Sequence, residues 1–144
     1  MKKVLMGILL VVSLFALTAC TSNKLTKLNY DKLVKKFDNG DTFILLFNDG
    51  SSDGELLKST LNNLLNEFDL EGYVINPTSL SQDEKNDLRS KIYIETNGIA
   101  FINKGVDSSK LAHVTDVYTT RAELLNHLIN HGFIDANEEK ENNN

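Results

Sequence analysis

Apolar and polar positions fall in blocks along this chain, and the clearest block runs from Asp41 to Phe68. Asp41-Thr42-Phe43-Ile44-Leu45-Leu46-Phe47 is a short apolar run, long enough for one buried strand and too short for a buried helix. Asn48-Asp49-Gly50-Ser51-Ser52-Asp53-Gly54-Glu55 interrupts it with turn-forming and helix-capping residues. Beyond them Leu56, Leu57, Thr60, Leu61, Leu64, Leu65 and Phe68 recur at helical spacing and give one broad apolar face. The pattern predicts a central strand holding Phe43, Leu45 and Phe47, with Leu61, Leu64 and Leu65 packed on it. A strand-to-helix junction of this kind offers free N–H groups and positive potential at the helix N-terminus. No catalytic group stands there.

The same periodicities extend to either side. Asn29 or Asp31 caps a helix from about Tyr30 to Phe37 with Leu33, Val34 and Phe37 inward, and Asn39-Gly40 ends it. Glu71-Gly72 turns into a short strand, Tyr73 to Asn76, which Pro77 stops. Ser79 or Ser81 caps a more polar helix reaching about Lys91, acidic early and basic late as the helix dipole favours. Ile99 to Ile102 is a third strand, and Asn103-Lys104-Gly105 turns it towards a further strand near Leu111 to Val117. A last helix begins at Thr119 or Thr120, turns Leu124, Leu125, Leu128 and Ile129 inward, and stops at Gly132. Asn97-Gly98 leaves two alternatives open. Flanked by Tyr93–Thr96 and Ile99–Ile102, it has the form of a two-residue hairpin turn. The helical spacing from Leu88 to Tyr93 favours a crossover instead.

The N-terminus changes the picture of where this domain works. Lys2 and Lys3 precede an apolar stretch, Val4 to Phe15, followed by Leu17-Thr18-Ala19-Cys20. The stretch is that of a secretory signal and falls short of a spanning helix. Leu17–Cys20 resembles the lipobox of bacterial lipoproteins at every position. That resemblance implies cleavage before Cys20 and a thioether-linked diacylglycerol on it, with acyl chains such as palmitate holding the protein to the membrane. The expected organisation is a signal peptide over 1–19, a lipidated cysteine and tether over 20–27, a domain over 28–134 and an acidic tail over 135–144. The chain carries 20 acidic against 15 basic residues, a formal charge of −5, and loses two lysines with the signal. Such a balance argues against a nucleic-acid partner. Cys20 is the only cysteine, so no disulfide forms within the chain. Frequent Asn and Lys with no Trp suggest a Gram-positive host, the domain lying on the outer face of the cell membrane.

The order helix, strand, helix, strand, helix, strand, strand, helix, from about Leu25 to Gly132, resembles the thioredoxin-like superfamily. The resemblance rests on the helix before the core strand, the Phe43–Phe47 strand feeding a long helix, the Ile99–Gly105 strand and turn, and the closing helix after Thr119. It implies an α/β fold, a mixed central sheet of about four to five strands flanked by helices. Redox members carry Cys-x-x-Cys after the strand, at positions that count onto Ser52 and Glu55 to within one residue. They also carry a cis-Pro before the next strand, which falls on Asn97. Both hallmarks are absent. Thiol exchange needs a thiolate, and serine at its ordinary pKa is no substitute.

Other constellations have plainer explanations. Asp49–Gly54 begins like a calcium loop, yet Thr60 stands where the bidentate Glu belongs. Ser51 and Ser52 have no adjacent base. Glu123, His127 and His131 share a helix face, the weak candidates for a metal, but the Glu of a zinc-protease motif is missing after His127. No cofactor is expected. The superfamily binds extended polypeptide beside the active site, which makes Asn48, Asp49, Ser51, Ser52, Thr96 and Gly98 the expected rim for a protein or peptide partner outside the cell. Exposed Tyr30, Tyr93 and Tyr118 could add to such a surface. The alternatives are an accessory role in thiol-disulfide exchange or in maturing a secreted, bacteriocin-type peptide, and release of a pheromone from the signal, within Val12–Ala19.

Overall fold

The computed structural model describes residues 22–107 and 113–137. The signal segment, Cys20, residues 111 and 112 of the expected late strand, and tail residues 138–144 lie outside them. Strand β2 (Phe43–Phe47) is the centre, buried at every position because both its edges and both its faces are covered. It runs parallel to β3 (Gly72–Ile75) on one side and antiparallel to β4 (Gly98–Asn103) on the other. Strand β1 (Leu25–Lys27) adds to β3 in parallel, and β5 (Val106–Asp107) adds to β4 antiparallel. The sheet order is β1-β3-β2-β4-β5.

The period-two alternation of β2 divides the core. Ile44 and Leu46 face α2 (Ser52–Glu67) and α4 (Arg121–Asn130), meeting Leu57, Leu61, Leu64, Leu65, Leu124, Leu125 and Leu128. Phe43, Leu45 and Phe47 face the opposite way, towards Leu33 and Phe37 of α1 (Tyr30–Asp38) and Leu88 of α3 (Gln82–Leu88). Leu61, Leu64 and Leu65 thus pack on the central strand as expected, through Ile44 and Leu46, while Phe43, Leu45 and Phe47 point to the opposite face, since alternate residues of a strand do so. Leu56, counted on the apolar face, is 44% exposed. Asn29, Ser81 and Thr120 are the caps, the latter two with reciprocal capping boxes through Glu84 and Glu123.

Four boundaries differ from expectation. The tether is shorter than 20–27, because Leu25 is buried and pairs opposite Gly72, so the domain begins before residue 28. The turn before β3 is made by Asp69 at φ 49°, with Leu70 N–H donating to Leu65, while Gly72 already belongs to the strand. Helix α3 ends at Leu88, three residues early. Ser90 Oγ donates to the Asp87 carbonyl there, the local competition that unwinds helix ends. The strand expected near Leu111 to Val117 is replaced by β5 at Val106–Asp107. Lys104 and Gly105 both have positive φ, the signature of a two-residue hairpin turn, so pairing resumes at once at Val106. Val114 keeps only an isolated bridge to Ile99. The Asn97-Gly98 hairpin does not form, because β4 pairs along its length with β2, Gly98 opposite Phe47 and Ile102 opposite Phe43.

Candidate functional site

The sheet brings the end of β2, the start of β4 and the N-terminus of α2 to one place, and side-chain amides knit them together. Asn48, buried at 6% exposure, accepts from Gly50 N–H at 2.8 Å and donates to Glu55 Oε1 at 2.8 Å. Across the gap, Asn97 Oδ1 accepts from Asp49 N–H at 3.1 Å, and its Nδ2 donates to Ser51 Oγ at 3.2 Å. Ser51 is the N-cap of α2, and its Oγ also accepts from Gly54 N–H. Asp49 closes the turn by accepting from Ser51 N–H at 2.9 Å. A Cβ on Gly54 would lie 2.3 Å from Asn48 Oδ1 and 2.5 Å from Asn97 Oδ1, so this close approach requires glycine. The hydrogen bonds from Ser51 hold the Asp49 carboxyl below its ordinary range, and those from Asn48 and then Lys58 do the same for Glu55.

Besides Asp49, the residues that meet Asn97 are Ser51 and Gly54, one position earlier than Ser52 and Glu55 and within the one-residue margin of that count. Ser52 is exposed, Glu55 is tied to Asn48 and Lys58, Thr96 is exposed and Gly98 is buried at the start of β4. Ser51 Oγ is committed to the cap and to Asn97, with no imidazole bonded to it. The cluster offers polar recognition and no activated nucleophile.

Glu123, His127 and His131 are not brought together as a ligand set. Glu123 is turned to its own cap, accepting from Thr120 N–H at 2.8 Å. The two imidazoles stack in parallel with Phe101, His131 at 4.6 Å between ring centroids. Burial, and then the neighbouring His127, lower the pKa of His131. Among the described residues no group of three or more His, Cys, Asp or Glu is placed to hold a metal, and no helix is long and apolar enough to cross a membrane.

Beside the amide cluster lies a groove of about 490 Å³ that the sequence pattern did not reveal. Its walls are Pro77 and Thr78 after β3, Lys85 of α3 and Arg89 at its C-cap, and residues 92–96 leading to Asn97. Tyr93, half exposed, stands in it, whereas Tyr118 is exposed elsewhere and Tyr30 is bonded to Asp87. A second missed group is His113, whose side chain is 1% exposed. Its Nδ1 lies 3.3 Å from Glu95 Oε1, and its Nε2 lies 3.0 Å from both oxygens of Asp107. The three sit on separate segments with no motif spacing, so only the fold could assemble them.

One of the solved structures that match is described as a suggested oxidoreductase with a thioredoxin fold. It aligns with a TM-score of 0.57 at 14% identity, over 74% of this chain and 96% of that one. This chain has the thioredoxin fold. At that identity the likeness speaks for architecture alone. No protein-family model and no curated protein matches the sequence. The amide cluster occupies the strand-to-helix junction, onto which the resemblance counts the Cys-x-x-Cys of redox members. Ser51 caps the helix there, and the chain's single cysteine lies far upstream at position 20.

Proposed function

We propose that this chain is a membrane-anchored lipoprotein on the outer face of the cell membrane, whose thioredoxin-fold domain binds a protein or peptide partner and carries out no thiol chemistry of its own. The observation that carries the reading is the pairing of a closed polar junction with an open groove. Asp49, Ser51 and Asn97 lock the two loops by hydrogen bonds, and Asn48 braces the first of them. The adjoining backbone of Tyr93–Thr96, in contrast, has no hydrogen-bond partner among the described residues. Unpaired backbone groups beside a sheet can receive an extended peptide through main-chain hydrogen bonds. A second reading, an accessory of thiol-disulfide exchange that acts on a partner's cysteines, draws support from the description of the structural relative as a suggested oxidoreductase.

Surface crosslinking in the native membrane tests the first reading. Asn97→Ala and a bulky substitution at Thr96 are expected to reduce recovery of the crosslinked partner, whereas His127→Ala on the α4 face leaves it unchanged. Full recovery from the loop variants with loss only in the His127 variant moves the contact surface to α4.

A further inference from the structure

The groove's charge narrows the partner class, given that the groove binds polypeptide at all. Lys85 of α3 and Arg89, the C-cap of that helix, lie four residues apart and both line the groove. Neither has a carboxylate within ion-pair distance among the described residues, and Arg89 makes only a hydrogen bond to Asn86 Oδ1. Of the acids nearby in sequence, Glu84 and Asp87 are engaged elsewhere. Glu84 closes the capping box at Ser81, and Asp87 accepts from the Tyr30 hydroxyl at 2.8 Å. Glu95 is the one carboxylate in the groove lining, and it is drawn back onto buried His113, its side chain 18% exposed. His113 is fixed in turn by Asp107 of β5, so Glu95 is held against the sheet and away from the two cations. A protein with a surplus of acids thus presents a groove with two unopposed positive charges and a strip of unpaired backbone.

We infer that this groove takes an acidic polypeptide segment. Its main chain would bond to the Tyr93–Thr96 backbone, and its carboxylates would be received by Lys85 and Arg89. Pro77 and Thr78 also line the groove. Opposite charge across a contact raises association and selects partners more than it adds raw affinity, so the preference should fade as salt screens it.

The test uses the full-length protein in detergent micelles and a fluorescent decapeptide of alternating valine and glutamate, against the same peptide with glutamine for glutamate. By anisotropy at low salt the glutamate peptide should bind about tenfold more tightly, a typical size for paired surface charges acting together. The double variant Lys85→Glu/Arg89→Glu should abolish that preference while leaving the far-ultraviolet circular dichroism and the glutamine peptide's affinity unchanged. Equal binding of both peptides, or a preference that survives the charge reversal, overturns the inference. So does charge-dependent binding to phosphatidylglycerol vesicles that the peptide fails to compete, which would assign the cations to lipid headgroups. Equal binding that is lost in Asn97→Ala removes the acidic preference and leaves the peptide-binding reading standing. No binding of either peptide removes both.

Discussion

Gly54 concentrates the physics of the junction in one position. Alanine is ordinarily favoured over glycine inside a helix by about 1 kcal/mol. At Gly54 the added methyl would press on two side-chain amide oxygens that are already bonded, at 2.3 and 2.5 Å. Either Asn48 or Asn97 must move, and Asn48 ties the loop to the helix start while Asn97 joins the two loops. Gly54→Ala is therefore expected to cost about 1–3 kcal/mol in urea unfolding, as overpacked sites do. A rise in the unfolding midpoint would mean the junction is looser than its hydrogen bonds imply. Asn97 itself was legible as a position, because the resemblance to the thioredoxin-like superfamily set it in the place of the cis-Pro. Its task was not. Its bonds reach residues 48 and 46 positions away, and no local pattern encodes a side-chain amide that closes such a distance.

Among the elements, those with a strong period were readable and those defined by a neighbour were not. Strand β2 and helix α2 follow from apolar runs that have one way to be buried. Strand β1 has a single buried residue in three, and β5 has two residues in all. They exist because β3 and β4 offer edges to pair with, a long-range cause that propensity does not express. The face of α2 is the part open to direct measurement. Leu61→Ala, fully buried against Ile44 and Leu46, should lose about 2–5 kcal/mol of stability. Leu56→Ala on the same helix, half exposed, should lose less than about 0.5 kcal/mol. Comparable losses in the two variants would require α2 to be rotated about its axis.

For the whole molecule, the direction of the parallel strands separates the two functional ends. Leu25 enters the sheet opposite Gly72, at the start of β3, while Phe47 leaves it opposite Ile75, at the end of the same strand. The amide junction lies beyond Phe47, at the far end of the sheet from the chain's entry. If Cys20 is lipidated, single-cysteine probes should report this polarity. A fluorophore on Lys24→Cys should be quenched strongly by headgroup-quencher lipid and one on Ser52→Cys weakly, and Cys20→Ser should release both from the membrane fraction. Equal quenching would mean that the domain lies on its side, and retention of the Cys20 variant would remove the lipid anchor. The consequence is one of clearance. Five residues from Cys20 to Lys24 span at most about 18 Å, so a lipid on Cys20 would leash the near end of the sheet close to the bilayer. The loops at the far end would then be held aloft. A partner embedded in the same membrane must reach over the domain to meet them, whereas a secreted or wall-side chain meets them head-on.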